Sequence, residues 1–287
     1  MKKAHLAALS LLAAACAGDL PPRSVLQDLR VLALLAKPLE AQLGDQVTVG
    51  ALTVAPPGAT VSTVAWSFCP FTVGATASDA CAVPACEVQL TPAPDGSVTA
   101  DPGALAADCL QRYGGAAAAG SALPSQVPDQ LQTLFRYVVT ASDSSSREAV
   151  LRIPFYPRGV PADRNRPPVV TSLEIGGLAK ALATPPAESV GTVPKGGQLE
   201  IRVVLDPASV QRYPDSSGRT VDEQLFVSFY TTGGRFDFDR GVGLDENVQL
   251  KDEKVPADVT STQVYAVAHD DRGGATVLGP YKVDFAR

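Results

Sequence analysis

The chain is poor in several residue types, and each shortage excludes something. Among 287 residues there are two histidines, one tryptophan and seven tyrosines, and aromatics make up 6%. His5 lies in the N-terminal leader, so any Ser-His-Asp arrangement would have to use His269. A carbohydrate site has few aromatic rings to draw on. Basic residues are outnumbered, with a formal net charge of −6. That balance excludes sequence-independent nucleic-acid binding, which needs a Lys/Arg surface to neutralise phosphates. It excludes a polybasic membrane patch for the same reason. No apolar run reaches the ~18–20 residues of a membrane-spanning helix. The motifs G-x-S-x-G, H-E-x-x-H, S-x-x-K and G-x-x-x-x-G-K are missing, so no common nucleophile, zinc or phosphate-loop chemistry is marked. No cofactor is implied.

Enough is present to fold. The chain is 45% hydrophobic and 19% charged, which suits buried cores, and its length suits about two domains of ~100–200 residues. It begins MKKAHLAALSLLAAAC: two lysines, a short apolar run, then small residues. That is the shape of a secretory signal. A cut after Ala15 would leave Cys16 as a free thiol, a cut after Ala17 would discard it, and lipidation would consume it. The last two leave an even set of cysteines. LAAAC is similar to the lipobox of bacterial lipoproteins, although Ala13 stands where leucine is usual. The resemblance implies that residues 1–15 are a signal peptide and that Cys16 carries lipid. Ala17 after the cysteine, in place of Asp, implies sorting to the outer membrane. The anchor makes the membrane one partner.

Strand signals dominate after Arg30. QVTVGALTV (46–54), STVAWSF (62–68), FRYVVTAS (135–142) and AVLRIPF (149–155) alternate or run apolar with β-branched and aromatic residues. QLEIRVVL (198–205), QLFVSFY (224–230), TQVYAVA (262–268) and TVLGPYKVDF (276–285) repeat the mixture. PGALAADCLQRY (102–113) is the best candidate for a short helix. The halves align with each other. Gly44 to Val49 matches Gly196 to Ile201, Trp66-Ser67-Phe68 matches Val227-Ser228-Phe229, Tyr137-Val138-Val139 matches Tyr265-Ala266-Val267, and Asp143 matches Asp271. The same elements in the same order imply a tandem duplication of an all-β unit.

PPRSVLQDLRVLALLAKPLEAQLGDQVTV, the Trp66 strand, NRPPVVTSLEI, VSFYTTGGRFD and AVAHDDRGG together resemble bacterial lipoproteins with tandem immunoglobulin-like domains. The resemblance implies an all-β fold of two immunoglobulin-like β-sandwiches: residues 30–157 and 169–287, after a tether over 16–29. It implies nothing about role. Tyr137 and Tyr265 resemble the tyrosine-corner position, two residues before the place where antibodies carry a cysteine. Val139 and Val267 occupy that place, so the inter-sheet disulfide is missing.

The first half carries a long extra segment, about 70–125, between its Trp66 and Tyr137 strands. Cys81, Cys86 and Cys109 lie inside it and Cys69 stands at its edge. The segment is rich in Ala, Pro, Gly and Ser and has little core of its own. Two disulfides would order it, whereas a four-cysteine metal site lacks a C-x-x-C pair; the pairing is open. YPRGVPADRNRPP (156–168) has the proline content of a stiff linker, with 158–168 at its centre, and predicts two units in series rather than side by side.

Two further clusters carry weak chemistry. His269 in AHDDRGG reads as part of a solvated hairpin turn. Asp237, Asp239, Asp245 and Glu246 in FDFDRGVGLDEN could hold Ca²⁺. Against an EF-hand loop, however, Gly241 stands where the third acid belongs, Val242 where the glycine belongs and Val248 where the final glutamate belongs. Trp66 reads as core. The sequence therefore points to a non-enzymatic, lipid-anchored envelope protein. It would bind an envelope or extracellular protein, with the cysteine-rich insert as its contact surface. A surface adhesin or glycan-binding module is the alternative.

Overall fold

The computed structural model describes residues 23–72, 79–117, 129–182, 187–215 and 217–287, with the backbone alone over 114–117. Residues 1–15, read above as a signal peptide, and Cys16 lie outside the described residues. The first half contains β1 (Arg30–Lys37), β2 (Ala41–Gln42), β3 (Val47–Val54), β4 (Val61–Cys69), β5 (Val88–Leu90), β6 (Val98–Ala100), α1 (Pro102–Ala117), β7 (Leu131–Ala141) and β8 (Ser146–Tyr156). The second contains β9 (Val170–Ile175), β10 (Leu178–Ala179), β11 (Thr192–Val193), β12 (Gln198–Leu205), β13 (Arg212–Pro214) and β14 (Thr220–Asp222). It continues with β15 (Leu225–Thr231), β16 (Arg235–Phe236), β17 (Arg240–Val242), β18 (Asp245–Lys251), β19 (Ser261–Asp270) and β20 (Ala275–Phe285).

Strand order shows the duplication directly. The first half pairs β1-β3-β6 in one sheet and β2-β8-β7-β4-β5 in the other. The second pairs β10-β9-β12-β18-β16 and β11-β20-β19-β15-β17, with β13-β14 as a separate hairpin. In each half a short early strand, β2 or β11, runs parallel to the last one, β8 or β20. Two facing sheets with this order make an immunoglobulin-like sandwich, so the fold is all-β, twice over.

Side-chain alternation explains the layers. In β12, Leu199, Ile201, Val203 and Leu205 are buried while the residues between them face out. They join Val227, Phe229, Val248 and Leu250 in the second core. The first core gathers Trp66, Phe68, Phe135, Tyr137 and Ile153 with Val47 and Val49 from the facing sheet. Helix α1 starts where Asp101 Oδ1 accepts the Ala104 amide at 2.9 Å and Pro102 opens the first turn.

Three expectations need correction. First, the sandwiches pack side by side. Leu32, Ala33 and Val54 of the β1–β3 sheet lie against Tyr265 and Val267 on the outer face of β19. Second, the segment read as a tether is part of the fold from Ser24 onward. The Leu26 amide donates to Thr231 O and the Thr231 amide to Ser24 O, both at 2.8 Å, and Leu26 and Leu29 are fully buried. The linker is fastened as well: Arg164 pairs with Asp45 at 2.6 Å, and Asn165 is buried.

Third, the repeat alignment slips by one residue in β19. Ala141 N bonds to Ser145 O, and Asp270 N to Gly274 O, which makes Ala141 equivalent to Asp270. Phe135, Tyr137 and Val139 therefore point into their own core, whereas Tyr265 and Val267 point out at the other sandwich. A one-residue slip exchanges the faces of a strand. Neither tyrosine makes the upstream backbone bond of a tyrosine corner. Tyr137 Oη lies 3.0 Å from Thr53 Oγ1 of the facing sheet, and Tyr265 Oη donates to Gln263 Oε1 at 2.8 Å.

Candidate functional site

The insert after β4 is built from its cysteines outward. Cys69 pairs with Cys81 and Cys86 with Cys109, with Cα–Cα distances of 5.6 and 5.4 Å. The first bridge ties the insert to the end of β4, and the second ties it to α1. Phe71, Cys86, Ala106 and Cys109 form a small core beneath the helix. Ion pairs then fasten the insert to the sheet. Arg136 of β7 meets Glu148 and lies 3.5 Å from Glu87, and Arg152 of β8 meets Asp79. Glu87 also accepts from Ser67 Oγ of β4 at 2.5 Å. The result is a loop held to a rigid sheet by covalent and ionic contacts, with Leu110 and Arg112 on the exposed face of α1.

The other predicted residues do not converge. Asp245 is held by a two-pronged contact with Arg202 at 2.7 and 2.6 Å, and that guanidinium lowers its pKa. Asp237 Oδ1 accepts the Phe238 and Gln249 amides at 2.9 and 2.8 Å. Glu246 folds over Gly241, where an added Cβ would fall 1.7 Å from Oε2. Among the described residues no group of three or more His, Cys, Asp or Glu side chains is placed to hold a metal ion. His269 is not in the turn: it lies in β19, one residue before the strand's end, opposite Phe226 and half-buried. Burial, then the Arg240 charge, lowers its pKa. Trp66 is 1% exposed and donates to Gly96 O at 3.0 Å, so it offers no platform to a sugar.

The structure adds a polar cluster that no sequence pattern marked. It lies at the edge of the contact between the sandwiches. Arg272, from the β19–β20 turn, reaches Glu40 of the first sandwich with Nη2 2.6 Å from Oε1. Glu40 Oε2 accepts the Asn165 amide at 3.1 Å. The Arg272 guanidinium stacks over Tyr213, 4.9 Å from the ring centroid. Asp270 Oδ1 accepts the Arg272 and Gly274 amides at 2.9 and 2.6 Å. Glu223 completes the group; its side chain is fully buried, 4.0 Å from Arg272 and beside the Gln211 backbone. Burial, with repulsion from Asp270, pushes Glu223 up to about 7. Arg272 and Glu40 are 232 residues apart, and no local spacing joins them.

No family model matches the chain, and no curated protein matches it. It is similar in structure to the D00-D0 domain of intimin (11% identity, 91% of this chain and 99% of that one, TM-score 0.25). It is similar also to the fibronectin(III)-like modules of CbhA from Clostridium thermocellum (13%, 88% and 92%, 0.23). A third similar structure is the adhesin InvE from Yersinia pseudotuberculosis (12%, 91% and 61%, 0.23). At such scores nothing about role transfers, and the sandwich topology rests on the strand pairing itself. No helix among the described residues is long and apolar enough to cross a membrane.

Proposed function

We propose that this chain is a lipid-anchored, non-enzymatic protein of the cell envelope, sorted to the outer membrane through Cys16. Its role is structural or protein-binding, and its partner contacts the insert. The observation that carries the reading is the stapling of that insert. Two disulfides and the ion pairs Arg136–Glu87 and Arg152–Asp79 hold an otherwise core-poor segment on the sheet. Pre-ordering a surface loop in this way removes the entropy cost that a partner would otherwise meet on binding.

Two measurements test it. The intact mass of the chain from membranes should start at Cys16 with added acyl mass; a chain starting at Gly18 without lipid refutes the anchor. Envelope crosslinking should then capture a partner. The double variant Leu110→Glu, Arg112→Glu alters the outer face of α1 and leaves both disulfides in place. It should lose that crosslink by tenfold or more. An undiminished crosslink moves the binding surface elsewhere.

A further inference from the structure

Arg272 stands between two carboxylates that belong to different halves of the molecule. Across the interface is Glu40, 2.6 Å from Nη2; on its own sandwich is Glu223, 4.0 Å from Nη1. Gln211 Oε1, at 3.5 Å, is a further neighbour of Nη1. The turn that carries Arg272 is pressed against the first sandwich. A Cβ on Gly274 would lie 2.9 Å from Leu39 Cδ1. The charged groups acting on Glu223 are Asp270 and Asp271, which repel it, and Arg272, which attracts it. Asn165 of the linker packs here as a neutral group, and Tyr213 supplies the ring under the guanidinium.

We propose that Arg272 is the moving part of a proton-controlled latch between the two sandwiches. With Glu223 protonated, Glu40 is the carboxylate that holds the guanidinium, and Arg272 bridges the interface. With Glu223 ionised, a buried carboxylate 4.0 Å away competes for the same guanidinium and draws it back onto its own sandwich. Glu40 and the linker amide of Asn165 then lose their closure. The sign follows from linkage. The closed state binds the Glu223 proton more tightly than an open state with ordinary glutamate behaviour. Opening therefore releases a proton, and it becomes easier as pH rises from about 4.5 to about 7, flattening above. A single proton makes the opening constant rise by up to tenfold per pH unit in that window.

Hydrogen exchange on the full chain between pH 5 and pH 8, corrected for intrinsic rates, reads the latch directly. The Asn165 amide, bonded to Glu40, reports closure. Its protection should fall by up to tenfold per unit between pH 5 and 7 and then level off. The strand amides of β12, inside the second core, should keep their protection throughout. Glu223→Gln should hold protection high and remove the slope. Glu40→Gln should hold it low and remove the slope. A wild-type chain without a slope overturns the latch, and so does either variant that keeps the wild-type slope.

Discussion

Trp66 shows how one side chain organises the first sandwich. Its ring is buried, lies tilted against Tyr137 with centroids 4.6 Å apart, and places its indole N–H on Gly96 O at 3.0 Å. Gly96 lies in the loop between β5 and β6, so the tryptophan ties that loop to the core. Trp66→Ala should cost about 3–5 kcal/mol, because it removes a large buried ring and takes the donor from the partly buried Gly96 carbonyl. The urea midpoint checks this; an unchanged midpoint would mean that the ring contributes little. The burial of Trp66 was legible in the sequence, since it stands between β-branched and aromatic neighbours in a strand. The partner of its indole was not, because Gly96 is far along the chain and has no side chain to mark it.

At the scale of elements, strict alternation made strands readable. β12 spans Gln198–Leu205, as its pattern of Leu199, Ile201, Val203 and Leu205 indicated. β19 is different, because Val264, Tyr265, Ala266, Val267 and Ala268 are all apolar and all buried. With both faces covered there is no polar side to set the register, and the alignment of Tyr265 with Tyr137 fell one residue short. The disulfides of the insert behave in the opposite way. Their presence followed from an even cysteine count; their pairing needed the positions of β4 and α1. Replacing Cys86 and Cys109 together by serine should lower stability by ~3 kcal/mol, mainly by freeing the unfolded chain. Equilibrium denaturation measures this, and circular dichroism should keep the strand signal.

For the whole molecule the contact between sandwiches matters most. Its centre is apolar, with Leu26, Leu32, Ala33 and Val54 against Tyr265 and Val267, and its edge is the Glu40–Arg272–Glu223 cluster. Ala33→Glu would bury an unpaired carboxylate in the centre at a cost of several kcal/mol, whereas separating the sandwiches would return it to water. The radius of gyration from solution scattering should rise, and the fluorescence of Trp66 should stay native. A compact variant with native fluorescence would show that the contact tolerates the charge. The Ser24–Leu26 strap along Thr231 limits how far the sandwiches can part, so the expected change is a hinge opening.

The sequence by itself determined the all-β class, the duplication, most of the strands, the burial of Trp66 and the involvement of four cysteines. These rest on local patterns: alternation along one strand, the count of a residue type, the order of short motifs. Tertiary structure alone decided the cysteine pairing, the face that β19 turns inward, the side-by-side packing and the meeting of Glu40, Glu223 and Arg272. Each of these depends on which distant surface covers a given residue, and that is settled when the two sandwiches pack and bury a second face of the same strand.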